Sequence, residues 1–380
     1  MAENKEKAML PEHLLETLET PCIVIDERIA KENIARMQQK VSENGCNLRP
    51  HIKTHKMPYF AKLQMEAGAC GICSCKISEA EVMADAGFDD IFLAYPQVGK
   101  PKIARALALA KRVKRLILAV DSIAQAAALN EAAEAAGQTV EVRLEVDTGA
   151  KRTGVSRDKL VETAKALLNM KALRVTGIYT FKSLNLGGKP TEDNQAAGEE
   201  EGKLLEEAVK ELEALGYKDL EISGGSTPTG LYVAETGKVT EVRPGTYIFN
   251  DYMLIQEKAA TADQVAGYYY ATVVSVPAED YAVIDGGTKT YPMDILLDQP
   301  PYYYNSYAVV QGREDLQLRR MNEEHGILTS TKGKVDLKVG QVLKLMPVHI
   351  CMAIHMQNNI YIYDGTSLRK EKVAARGMLF

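Results

Sequence analysis

Leu116-Ile117-Leu118-Ala119-Val120, followed by Ser122–Ala136 and then by Val140–Val146, decides the fold. Five consecutive apolar residues suit a strand covered on both faces. The run rich in Ala, Leu and Glu behind it suits a helix, and Val140–Val146 returns to extended chain. The same strand–helix rhythm continues in both directions. Upstream lie candidate strands Cys22–Asp26, Asn47–Ile52, Gly71–Cys75 and Ile91–Tyr95; downstream lie Leu173–Thr180 and Leu220–Ser223. Helical stretches include Lys102–Lys111 and Asp193–Leu215, the latter closing at Gly216, and Ser78-Glu79-Ala80-Glu81 reads as a capping box that opens another. Eight strands, each followed by a helix, predict an α/β chain with a parallel (β/α)8 TIM barrel over residues 22–250.

After about Asn250 the rhythm changes. Tyr268–Val276, Tyr281–Ile284, Tyr307–Val310, Gly326–Ser330, Gln341–Met346 and Ile360–Tyr363 read as strands between Gly, Pro and Asp turns, with no convincing helix. A smaller β-rich C-terminal domain is therefore predicted.

The 380 residues carry 46 basic and 51 acidic side chains, a net charge of −5. No basic stripe is long enough to track a nucleic-acid backbone. Met1–Lys7 is charged and lacks the apolar core of a signal peptide, and no segment approaches the length of a membrane span. A soluble cytoplasmic protein that takes a small molecule, and neither nucleic acid nor membrane, is expected. Of the six cysteines, Cys70, Cys73 and Cys75 cluster in what reads as a buried strand, where Cys serves as a small apolar residue.

In such a barrel the functional groups sit at the C-terminal ends of the strands. Arg49-Pro50-His51-Ile52-Lys53-Thr54-His55-Lys56 places Lys53 just past one strand end, among other cations. Partly desolvated there, its amine would lose a proton more easily and attack a carbonyl. Asp147 to Gly154 is a glycine-bounded turn that aims Arg152 at the same mouth, and Tyr179 ends the next strand. Ser223-Gly224-Gly225-Ser226-Thr227 offers small residues, backbone N–H groups and hydroxyls suited to a phosphate. A strand-end lysine with a phosphate loop fits pyridoxal phosphate, the aldehyde on Lys53 and the phosphate on the loop. Near the C-terminus, Pro347-Val348-His349-Ile350-Cys351 puts an imidazole and a thiol two residues apart. On a strand these face one side and suit a divalent metal such as Zn²⁺ with open positions.

These blocks, together with Thr20-Pro21 and Val242-Arg243-Pro244-Gly245-Thr246-Tyr247, resemble the D-threonine aldolase and D-serine dehydratase family, which is related to the alanine racemase barrel. The resemblance implies that Lys53 carries pyridoxal phosphate as a Schiff base and that His51 lies in the cofactor site. Arg152 would face the phenolic oxygen of the cofactor and Tyr179 its pyridine nitrogen. Ser223, Gly224, Gly225, Ser226 and Thr227 would hold the phosphate, with Tyr247 close by. His349 and Cys351 would bind the divalent ion (Zn, Mn or Mg) that meets the β-hydroxyl of a D-amino-acid substrate. The resemblance also implies a discontinuous smaller domain, residues 1–21 with 251–380, and a homodimer. The activity expected is retro-aldol cleavage to glycine and an aldehyde. The alternatives are D-serine dehydratase-type β-elimination, an amino-acid racemase and a cofactor carrier. One departure stands out. Many relatives carry a histidine in the glycine-rich stretch after the seventh strand, and Tyr179-Thr180-Phe181-Lys182-Ser183-Leu184-Asn185-Leu186-Gly187-Gly188 has none.

Overall fold

The computed structural model describes residues 9–380, so residues 1–8 of the segment expected in the smaller domain lie outside the described residues. Two compact units are formed. One joins the chain up to Asn33 with Thr246–Arg376; the other comprises Ile34–Gly245 and Gly377–Phe380.

The second unit is built on eight parallel strands. Their spatial order is Asn47–Leu48, Glu241–Val242, Glu221–Gly224, Leu173–Tyr179, Val140–Glu145, Arg115–Val120, Asp90–Pro96 and Ile72–Ser74. The two ends of this row meet. His51 and Cys73 form a parallel bridge, and the N–H of Cys73 donates to the carbonyl of Pro50 at 2.9 Å, so the sheet closes into a barrel. Helices Pro58–Glu66, Ile77–Asp85, Lys100–Ala110, Ile123–Ala135, Leu160–Leu167 and Asn194–Glu213 lie between the strands in sequence.

Two expectations are corrected here. Cys22–Asp26 is not a barrel strand; it pairs antiparallel with Gly267–Ala278 and parallel with Asn359–Tyr363 in the other unit. Its first four residues are buried, which is the pattern that made it resemble a barrel strand. The barrel completes its count with Glu241–Val242, two residues long and too short for any periodicity to reveal. The capping box is also shifted: the helix begins at Ile77, and the Glu79 carboxylate accepts from the backbone N–H groups of Cys75 (3.1 Å) and Lys76 (3.2 Å).

The barrel interior is ionic as well as apolar. Glu141, Arg143 and Glu145 alternate along one strand and therefore share a face, and all three are buried. Arg143 reaches Glu241 on a strand three places removed, so that face points into the barrel. Higher up, Cys73, Phe92, Ile117, Ala119 and Tyr179 form an apolar layer, with Phe92 and Tyr179 edge to face at 5.0 Å.

The other unit holds a nine-stranded sheet. Strands Tyr281–Asp285, His325–Ser330, Leu316–Met321, Ala308–Val310, Val342–Pro347 and Gly267–Ala278 follow one another, and the first also pairs with the last, closing an antiparallel ring. Cys22–Asp26, Asn359–Tyr363 and Leu368–Lys372 extend it. Among the described residues no helix is long and apolar enough to cross a membrane.

Candidate active site

Lys53 sits on a single helical turn, Ile52–Thr54, directly after the bridge that closes the barrel. His51 caps that turn: its Nδ1 accepts from the backbone N–H of Lys53 at 3.2 Å, and its Nε2 lies 3.2 Å from the Sγ of Cys75. An Nδ1 that accepts leaves the proton of a neutral ring on Nε2, directed at the thiol. Burial, reinforced by the charges of Lys53, Arg243 and Arg152, holds His51 well below the usual imidazole range. His51 is therefore a neutral fixture that sets the backbone of Lys53.

Arg152 lies in the loop after Val140–Glu145. The Asp147 carboxylate shapes that loop by accepting from the backbone N–H groups of Gly149 (2.8 Å) and Lys151 (3.1 Å). The Arg152 guanidinium stacks 3.7 Å from the centroid of the Phe181 ring, and the Lys53 amine lies 5.6 Å from the same centroid. Lys53 and Arg152, about 100 residues apart in sequence, thus meet over one phenyl ring. Phe181 belongs to the segment that departs from the relatives' histidine-containing pattern.

Tyr179 is buried at the end of its strand, level with Glu145 on one neighbouring strand and Ser223 on the other. Its hydroxyl donates to Glu145 Oε2 at 2.9 Å, and Thr153 Oγ1 donates to Oε1 of the same carboxylate at 2.9 Å. Burial lifts the Glu145 carboxyl above its usual range against the pull of those two hydrogen bonds and of the Arg152 and Arg243 charges. Burial and Glu145 together push the Tyr179 phenol well above its own range, so it stays protonated. Arg243 lies 5.2 Å from the Tyr179 ring centroid and donates to Ser223 Oγ at 2.6 Å and to the carbonyl of Thr180 at 2.5 Å.

The segment expected to hold a phosphate follows the strand Glu221–Gly224, and its residues make distinct contacts. Ser223 points into the barrel, donating to Glu241 Oε1 at 2.6 Å while accepting from Arg243. Its hydroxyl fixes the strand end. Gly225 has φ +72°, and a Cβ there would come within 2.8 Å of the Cα of Gly230. Its N–H donates to buried Glu201 Oε1 at 2.7 Å. The N–H of Ser226 donates to Thr229 Oγ1 at 3.1 Å. Gly224 and Gly225 therefore supply space, and Ser226 and Thr227, half-buried, supply the groups nearest the surface of the loop.

In the other unit, Tyr247 is buried within the turn Thr246–Ile248. His349 and Cys351 are not on a strand as expected. The strand ends at Pro347, which has no N–H to continue a ladder, and the helix Ile350–His355 begins with His349 as its N-cap and Cys351 in its first turn. Asp251 Oδ2 accepts from the Ile350 N–H at 3.0 Å and anchors that turn. The pair is nonetheless adjacent. His349 Nδ1 lies 2.5 Å from Asp294 Oδ2, and Cys351 Sγ lies 3.3 Å from Thr246 Oγ1. Burial opposes the His349 cation, but Cys351, Asp294 and Asp251 outweigh it and push it up to about 11. Burial likewise opposes the Cys351 thiolate, and His349 draws that thiol below its usual range.

Sequence reasoning missed Phe181, Glu145, Arg243, Glu201 and Asp294. Glu145 was within reach, being in phase with Glu141 and Arg143, and Arg243 stands two residues after Glu241 on one strand end. Asp294 lies in a long irregular segment and carries no local signal.

Comparison with known proteins identifies the family. The model of the alanine racemase N-terminal domain matches residues 25–253, and a serine dehydratase domain matches residues 266–363. D-threo-3-hydroxyaspartate dehydratase of Delftia sp. is 34% identical over 348 residues, covering 88% of this chain and 91% of its own. D-threonine aldolase of Arthrobacter sp. is 29% identical, covering 96% of this chain and 94% of its own. The crystal structure of D-threonine aldolase from Filomicrobium marinum superposes with a TM-score of 0.84 at 26% identity, covering 96% of this chain and 97% of that one. The Delftia dehydratase has also been solved as a cysteine-to-alanine variant in a metal-free form. The chain belongs to this family of alanine-racemase-like, pyridoxal-phosphate-dependent lyases, as its motifs led us to expect.

Proposed function

We propose that this chain is a pyridoxal-phosphate- and divalent-metal-dependent lyase of D-β-hydroxy-amino acids, cleaving the Cα–Cβ bond to give glycine and an aldehyde. The observation that carries the reading is the meeting of Lys53 and Arg152 at the barrel mouth, with the Gly224–Gly225 cradle two strands beyond Glu145 in the same closed sheet. When bound, pyridoxal phosphate supplies an electron sink at the substrate's Cα, and the metal a Lewis acid at its β-hydroxyl.

The chain's own groups have distinct tasks in this reading. Lys53 Nζ holds the aldehyde carbon, and neutral His51 fixes the turn beneath it. Arg152 faces the phenolic oxygen. Tyr179 would face the pyridine nitrogen, its hydroxyl held in place by Glu145 Oε2. Ser226 and Thr227 receive the phosphate in the space left by Gly224 and Gly225, and Ser223 and Arg243 brace the strand end. His349 and Cys351 fit a metal by their donor chemistry. Asp294 engages Nδ1 and so leaves Nε2 for the ion, an arrangement common among metal-bound histidines. No third His, Cys, Asp or Glu completes a metal cluster with them among the described residues, so water and substrate would take the remaining positions. A homodimer in the cytoplasm completes the proposal.

β-Elimination is the second reading, and the 34% identity to a hydroxyaspartate dehydratase favours it. Incubating the holoenzyme with D-threonine, D-threo-3-hydroxyaspartate and D-serine, with and without EDTA, decides between them. Glycine release that EDTA abolishes supports the aldolase. A 2-oxoacid with ammonia and no glycine establishes the dehydratase instead. Cα–H exchange indifferent to EDTA, with neither product, overturns both in favour of a racemase. Lys53→Ala should eliminate every activity and the borohydride-reducible cofactor label.

A further inference from the structure

The phenyl ring of Phe181 has two cations on it and no acid. Neither Lys53 nor Arg152 has a carboxylate within ion-pairing distance among the described residues; their close partner is the ring, at 5.6 Å and 3.7 Å respectively. Several other cations of this barrel are ion-paired. Lys56 pairs with Glu79 at 2.7 Å, Arg49 with Glu241 at 2.7 Å, and Lys182 with Glu200 at 2.8 Å. A ring face attracts cations through its quadrupole without cancelling their charge. A carboxylate in the same place would pair with them and compete with an anionic ligand.

We propose that Phe181 is a positioning residue that holds Lys53 and Arg152 side by side with no competing carboxylate, so that Arg152 is free for an anionic oxygen of the cofactor and Lys53 for its aldehyde. This deepens the reading of Lys53 as the cofactor lysine and rests on it. The ring works on the two cations differently. Arg152 is exposed and carried on a loop, and the stack gives its guanidinium one orientation. Lys53 is half-buried, and the ring offsets part of the repulsion from Arg152. The other titratable groups facing Lys53 are His51 on its own turn and Cys75 beyond the neighbouring strand; His51 is neutral, which leaves Arg152 as the opposing charge. A phenyl ring cannot carry a proton, so its contribution is placement and field.

Three variants separate the ring's field from its bulk: Phe181→Leu keeps most of the volume and removes the quadrupole, Phe181→Tyr keeps both, and Phe181→Glu supplies a competing anion. Pyridoxal phosphate affinity is read by absorbance titration of the apoenzyme. Independently of any cofactor, competitive labelling of Lys53 in the apoenzyme, followed by peptide mass mapping, reads the reactivity of its amine. The Tyr variant should match wild type in both measurements. The Leu variant should bind cofactor about fivefold to tenfold more weakly and label faster at Lys53, as loss of a cation–π contact implies. The Glu variant should bind more weakly still and label more slowly. Leu and Tyr variants indistinguishable from wild type in both readouts, with circular dichroism unchanged, overturn the inference. Cofactor trapped by borohydride on a lysine other than Lys53 overturns the underlying reading, while the labelling rate still decides whether the ring acts on Lys53.

Discussion

Inside the barrel, Arg143 Nη1 lies 2.7 Å from Glu241 Oε1, although two strands separate the strands that carry them. Both are buried. Glu241 also receives Arg49 Nε at 2.7 Å and Ser223 Oγ at 2.6 Å, so one carboxylate ties the first, fifth, seventh and eighth strands of the barrel together. Such a carboxylate satisfies two guanidinium groups; Arg49 has a second partner in Asp90 and Arg143 in Glu221, and Glu241 is the one carboxylate common to both. Because Ser223 also accepts from Arg243, the network reaches directly under the phosphate loop.

Glu241→Gln should therefore destabilise the barrel by about 3–5 kcal/mol, the typical cost of breaking a buried pair by removing one charge, measured by urea denaturation. The sign of the pH dependence follows from the carboxyl. The two arginines hold it well below the usual glutamate range against the penalty of burial. Its stabilisation is thus complete above the unfolded value of about 4.3 and is lost as pH falls toward the folded one. Wild-type stability should decline on acidification below about pH 5, and the variant, already lacking this contribution, should show a flatter acid limb.

Gly225→Ala tests the cradle. The residue holds φ +72°, and a methyl would sit 2.8 Å from the Gly230 Cα. A left-handed L-residue costs about 1–2 kcal/mol, and the collision adds to this. The loop should shift, and cofactor affinity should fall by tenfold or more, read by absorbance titration. Retention of wild-type affinity would show that the phosphate does not use this loop.

Much of the barrel was visible in its sequence because parallel strands buried on both faces produce apolar runs such as Leu116–Val120. The same rule misassigned Cys22–Asp26. A strand buried in an antiparallel sheet has the same composition, and only its long-range partners, Tyr268–Tyr270 and Tyr361–Tyr363, distinguish the two. Lys53, Arg152 and the glycine loop were legible because strand-end position and residue chemistry are local properties. The contact between Phe181 and Arg152, or between His349 and Asp294, is not local. Each depends on a loop closing over tens of residues, and nothing in either segment encodes the other. The strand drawn through His349 and Cys351 failed for a local reason: Pro347 ends the ladder, and Asp251, almost 100 residues earlier, starts the helix that follows.

Asp294→Asn addresses the proposed metal pair without touching either donor. Asp294 accepts from His349 Nδ1, so the proton a metal would displace is the one on Nε2, and the carboxylate would make the ring a stronger ligand. The amide can still accept through its oxygen, but it carries no charge, and it can equally turn its NH₂ toward the ring and favour the wrong tautomer. Loss of such a partner typically costs 10–100-fold in metal affinity. Titration of the metal-stripped holoenzyme with Zn²⁺ or Mn²⁺ should show a dissociation constant raised by about that factor, whereas His349→Ala and Cys351→Ala should abolish stoichiometric binding. Activity of the Asn variant should recover at high metal concentration, since both donors remain. Unchanged affinity in the Asn variant would mean that Asp294 does not orient the imidazole. Unchanged affinity in the alanine variants would move the metal away from His349 and Cys351 altogether.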